Sequence, residues 1–173
     1  MFNRSGRINK NQAGFTLIEL VVVIAITGFI GVGITTATFQ VISQSAQNTD
    51  YTAASRHTLN AVYWISRDAQ MSQTVEPNGA SGFPLTLSWV EWDNSTHQVT
   101  YTLEDGKLQR SYSADGGEPD ETAVAQHIDP GTEMTNCEFA GGVLTLKVTA
   151  TVGEGSNATS VTKVRQITPR PGL

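Results

Sequence analysis

Residues 20–42 read LVVVIAITGFIGVGITTATFQVI, and no charged side chain appears from Leu20 until Asp50. This run is long and apolar enough to cross a bilayer as one helix. Arg4, Arg7 and Lys10 precede it. Cations flanking a first span hold their end in the cytoplasm, so everything after about Gln44 is expected on the outer side. A secretory signal shares the basic start, but its apolar core is only about 7 to 15 residues and closes on small residues suited to cleavage. Here the run is longer, and TTATF and SQSAQ fit such a site poorly. The unusual residue is Glu19, one position before the run. A carboxylate in a first helical turn interacts well with the helix dipole. If the chain is cut after Gly14, a free amine forms at Phe15, and the Glu19 carboxylate four residues on can neutralise such an amine in apolar surroundings, where unpaired charge is costly.

The stretch GFTLIELVVVIAITG, Gly14 to Gly28, resembles the processing signal and helix start of type IV prepilins and type II secretion pseudopilins. The resemblance implies a prepilin peptidase/methyltransferase that cuts between Gly14 and Phe15 and methylates the new amine. It also implies that Glu19 pairs with the terminal amine of a neighbouring subunit during assembly. The implied partners are other pilin or pseudopilin subunits, an inner-membrane assembly platform and the membrane. The implied location is a single pass through the inner membrane, with the carboxy-terminal part extracytoplasmic, and a filament after assembly. Many family members carry a proline about twenty residues into the mature chain. This sequence has none there, which leaves Gly28, Gly31 and Gly33 to soften the helix.

No proline occurs before Pro77, and helical periodicity continues from Asp50 to about Ser72. Ala54, Thr58, Ala61, Val62, Ile65 and Ala69 form one stripe, with Arg56, Asn60, Tyr63 and Arg67 opposite. After Pro84 the period changes to two. LTLSWVEW, HQVTYTL and LQRSY read as antiparallel strands, with Asp105-Gly106 as a tight hairpin turn. A second hairpin joins VLTLKVTATV to SVTKVRQIT through GEGSNAT, with Leu144, Leu146, Val148, Ala150 and Val152 on one face. The expected fold class is α+β and pilin-like, a long amino-terminal helix packed on an antiparallel sheet. The expected divisions are a leader over 1–14, a transmembrane and assembly helix over 15–49, and an extracytoplasmic domain over 50–173. The run VTYTLEDGKLQRSY, residues 99–112, resembles the strand, turn and strand of J-type minor pseudopilins and related minor pilins.

The formal charge of −5 becomes −8 when the three leader cations are taken away. An acidic surface disfavours nucleic-acid binding through a general basic field. Cys137 stands alone, so no internal disulfide and no thiolate zinc site can form, and it reads as a partly buried structural residue. His57, His97 and His127 stand at no metal-ligand interval, and no serine lies in a nucleophile-elbow sequence. No cofactor, no metal and no enzyme is indicated. In SADGGEPDETA, read as a flexible solvated loop, Asp115, Glu118, Asp120 and Glu121 cluster as hard oxygen ligands, which makes calcium an alternative there. Trp89 and Trp92 are expected on opposite faces of one strand, one in the core and one exposed. The function read from the sequence is a minor pilin or pseudopilin of a type IV pilus or type II secretion filament. The alternative is a membrane-anchored extracytoplasmic binding module that uses the leader only for export. Secretion, pilus and DNA-uptake systems share this leader and helix.

Mass spectrometry of the protein from cells with an active prepilin peptidase is expected to find a mature chain starting at methylated Phe15. A terminus near Ala46, or an intact leader, would refute the processing scheme.

Overall fold

The computed structural model describes residues 15–79 and 81–171, so the leader residues, Arg4, Arg7, Lys10 and Gly14 among them, lie outside the described part. One helix, α1, runs from Leu17 to Met71. Eight strands follow: β1 (Thr74–Glu76), β2 (Leu85–Val90), β3 (Thr96–Glu104), β4 (Lys107–Ala114), β5 (Asp120–Ala125), β6 (Asn136–Ala140), β7 (Val143–Val152) and β8 (Thr159–Ile167). By its contacts the chain divides into two compact units, Met1–Gln44 and Ser45–Leu173.

In the second unit the strands form two antiparallel sheets, β1-β2-β3-β4-β5 and β6-β7-β8. The helix packs on them through the expected stripe: Ala54, Thr58, Ala61, Val62, Ile65 and Ala69 are all buried. Three of these are alanines, which let a helix approach a sheet closely. Leu85, Leu87 and Trp89 alternate inward from β2, Val99 and Tyr101 from β3, and Leu144, Leu146, Val148 and Ala150 from β7. Fully burying a leucine-sized side chain stabilises by roughly 1.5–3 kcal/mol, so this α+β layering is held mainly by apolar burial on one helical stripe.

Both expected hairpins form. Glu104 pairs with Lys107 across Asp105 and Gly106, whose φ values of 48° and 71° are the two positive angles a primed two-residue turn needs. Gly106 also meets the chain beyond β5: its carbonyl accepts from Ile128 N–H at 3.0 Å, and a Cβ there would lie 3.3 Å from the Ile128 oxygen. The second hairpin joins β7 and β8 in register from Val152↔Thr159 to Leu144↔Ile167.

The structure corrects three sequence readings. The stretch read as a flexible loop holds strand β5, in which Asp120 pairs with Tyr112 and Glu121 with Ser111. Acidic residues have low strand propensity, and the pairing is decided by the otherwise open edge of β4. Trp92 does not share a strand with Trp89, because β2 ends at Val90. Asp93 Oδ1 accepts from Ser95 N–H at 3.0 Å and from its hydroxyl at 2.6 Å, closing a turn that leaves Trp92 94% exposed while Trp89 is in the core. Cys137 is not partly but fully buried, on a strand the sequence reading did not identify, and its thiol donates to the Gly82 carbonyl at 2.9 Å. Burial pushes that thiol up to about 12.

A buried polar cluster ties α1 to the first sheet. Asp68, with no exposed surface, accepts from the Tyr101 hydroxyl and from Arg110 Nε, both at 2.6 Å and both on Oδ2. The Arg110 guanidinium lies 5.3 Å from the Trp64 ring centre and 5.2 Å from that of Tyr112, and Arg67 lies over Trp64 at 4.5 Å. Burial raises the Tyr101 pKa, and the Asp68 carboxylate raises it further. Burial opposes the charge on Arg110, yet the hydrogen bond and charge of Asp68 prevail and its pKa is raised. A phenol whose pKa is raised on folding contributes stability that is complete below its unfolded value of about 10 and is lost as pH climbs toward the folded value.

Arg110→Ala leaves the buried Asp68 without its hydrogen-bonded counter-charge, with only the half-exposed Arg67 remaining at 3.5 Å from Oδ1, and is predicted to cost about 3 kcal/mol. Thermal unfolding followed by circular dichroism measures this. A paired Asp68→Leu, Arg110→Met exchange is expected to cost less than the single change, and an Arg110→Ala loss under about 1 kcal/mol would contradict the analysis.

Candidate membrane and assembly helix

The first helical turn is built around Thr16. Its hydroxyl oxygen accepts from Glu19 N–H at 3.4 Å, and its carbonyl accepts from Leu20 N–H at 3.2 Å. Thr16-Leu17-Ile18-Glu19 is therefore a capping-box pattern, in which a threonine caps the helix three residues before a glutamate. The signal for it is local, a threonine three residues before a glutamate at the head of an apolar run. It gives Glu19 a structural reason to stand in the first turn, and the carboxylate remains exposed.

From Phe15 to Thr49 every side chain is exposed, including Leu17, Ile24, Phe29, Ile34 and Phe39, and the only charge is Glu19. A helix that is apolar on all sides has no solvated face, which suits lipid or the centre of a helical bundle. Its backbone is satisfied internally, as hydrocarbon demands. The threonine hydroxyls are satisfied too. Thr27, Thr35, Thr36 and Thr38 donate to the carbonyls of Val23, Gly31, Val32 and Ile34 at 2.6, 2.8, 2.9 and 2.9 Å. These bonds to the residue four back relieve the cost of placing hydroxyls among lipid chains and favour slight bending. Gly28, Gly31 and Gly33 lie within the continuous helix.

A family model described as the prokaryotic N-terminal methylation motif matches residues 9–35. The amino-terminal segment is pilin-like. No curated protein and no solved structure matches the chain. Together the motif and the exposed apolar helix mark a membrane-anchored protein of type IV pilin-like or pseudopilin-like character, and the motif points to a structural subunit. Phe15 begins the described chain ahead of α1, whereas Gly14 falls outside it.

Other candidate positions lie in the second unit. Asp115 is engaged in closing β3 on β4, its Oδ1 accepting from Thr96 N–H at 2.8 Å. Asp120 and Glu121 stand on successive, oppositely facing positions of β5. Among the described residues no three His, Cys, Asp or Glu side chains converge to hold a metal, so Asp115, Glu118, Asp120 and Glu121 do not form one site.

The histidines take packing roles, and two that are far apart in sequence meet. The rings of His57 and His127 lie 5.4 Å apart, with Gln126 N–H donating to His57 Nδ1 at 3.2 Å. Burial, and then the neighbouring His127, lower the His57 pKa. His97 stacks on Trp89 at 5.3 Å, lies 2.7 Å from the Tyr112 hydroxyl through Nδ1 and 3.0 Å from Ser95 Oγ through Nε2. Because the Ser95 hydroxyl donates to Asp93, His97 has no proton to take from it. The arrangement anchors a ring and does not activate a nucleophile.

Chelator treatment of the full chain is expected to leave its thermal midpoint within about 2 °C, since no described acidic cluster depends on a metal. A drop of many degrees, reversed by calcium, would restore the residues from Asp115 to Glu121 as a metal site.

Proposed function

We propose that this chain is a minor pilin or pseudopilin, cut after Gly14, methylated at Phe15, and assembled through residues 15–49 into a type IV pilus or type II secretion filament. The observation that carries the reading is that Glu19 is the only charge in an apolar, fully exposed helical segment that starts at the matched processing motif. A carboxylate carried into a bundle of such helices needs a counter-charge or a proton. The amine created at Phe15 of a neighbouring subunit supplies that charge. The basic residues before the span support an orientation with the second unit outside the inner membrane. The resemblance of residues 99–112 to minor subunits favours a minor role, with the soluble part from Asp50 onward displayed as a contact surface. Its partners are then the prepilin peptidase, the assembly platform and other subunits.

Processing and assembly are separable. The peptidase acts on Gly14 and Phe15 at the membrane surface, while charge pairing occurs later, as one helix slides beside another. Glu19→Ala is therefore expected to yield normal amounts of mature chain in membranes and a reduction of about tenfold or more in sheared filaments, as loss of a buried pairing partner predicts. Incorporation equal to wild type would remove the pairing role. A chain that is cleaved but never recovered in filaments, even as wild type, would support the anchored binding module instead.

A further inference from the structure

A sheet offers unpaired backbone groups only along its outer strands. The first sheet ends in β1 and β5, the second in β6 and β8. Strand β1 has three residues, and β6 is covered where Ser81 bridges Glu138 and Gly82 N–H donates to the Cys137 carbonyl at 2.8 Å. The other two edges differ. Among the described residues β5 pairs only with β4, and β8 only with β7 along nine residues, apart from one 3.2 Å hydrogen bond from the Thr58 hydroxyl to the Val161 carbonyl.

These open edges carry opposite charge. Asp120 and Glu121 on β5 follow Glu118, and Lys163 and Arg165 on β8 are followed by Arg170, all six exposed. None of them belongs to an ion pair among the described residues. Lys163 and Arg165 pair opposite Val148 and Leu146, so they sit on the core-facing side of an edge strand yet remain exposed. Inward-facing charge on an edge bars indiscriminate strand addition, because a neutral or basic newcomer leaves that charge unmatched. An acidic strand satisfies it. The two edges also flank α1. The residue following β5, Gln126, bonds His57, while β8 is bonded by Thr58. These helix residues are consecutive and so point about 100° apart around the axis.

We propose that the acidic β5 edge of one copy docks on the basic β8 edge of a second copy as an added strand, with Glu121 on the face of Lys163 and Arg165 and Asp120 on the opposite face beside Val164. The contact uses different patches on the two copies, so the pair keeps one free edge of each sign and the arrangement can repeat. It rests on the second unit and stands apart from the Glu19 pairing proposed above.

The test uses the full chain in membranes, with one copy carrying Thr122→Cys and the other Val164→Cys, joined by a short bis-maleimide. Cys137 is buried and unreactive. A cross-linked dimer is expected when the two are co-expressed and not with either alone. Glu121→Lys, or Lys163→Glu with Arg165→Glu, in both copies should lower the yield about tenfold through like-charge repulsion, and all three changes together should restore it. No β5–β8 cross-link in the wild-type background, yields indifferent to reversal, or no restoration would overturn the proposal. Sheared filaments are collected from the same cells. Filaments without the cross-link overturn this contact alone, whereas the cross-link without filaments overturns the filament reading alone.

Discussion

The carboxylate of Asp68 is the most constrained group in the second unit. It sits on the buried face of α1 and accepts from Tyr101 on β3 and Arg110 on β4, so one anion fixes the helix against two neighbouring strands. Apolar contacts alone allow a helix to slide or rotate over a sheet at modest cost, whereas a buried charge has a single acceptable partner geometry. The aromatic rings of Trp64 and Tyr112 close over the guanidinium and complete its surroundings. With that register set, the alanine-rich stripe lies on the sheet, and β7 brings its alternating leucines and valine into the same core.

The helix meets a different demand over residues 17–44. There every described side chain is exposed, and the backbone and four threonine hydroxyls are satisfied locally, by the helix itself or by bonding to the turn before. Glu19 is the exception in charge, and its backbone N–H is taken up by Thr16. The segment is complete as a helix and incomplete as a structure, since its apolar surface has to be covered by something outside the chain. Lipid serves that need, as do neighbouring helices under the proposed function.

The second unit also leaves groups open. Its polar clusters hold rings and turns in place: Asp93 closes the turn that projects Trp92, and His97 is fixed between Trp89 and Tyr112. What remains open are edges and projecting side chains, the features of a surface that meets other proteins.

The sequence alone determined the long apolar helix and the methylation motif, because each is written in consecutive residues and read by a fixed period or spacing. It also determined the helical stripe from Ala54 to Ala69 and both hairpins, since alternation and an Asp-Gly turn are local signals. Strands β1, β5 and β6 escaped it, being short, acidic or without alternation, and formed only because a neighbouring strand offered an edge. Asp68 and Arg110 stand 42 residues apart, and His57 and His127 still farther, so nothing in their spacing announced that they meet. The division into two sheets, the burial of a charge on the apolar face of α1 and the opposite signs of the two open edges were decided by tertiary structure, because each depends on which residues packing leaves dry and which backbone groups it leaves unpaired.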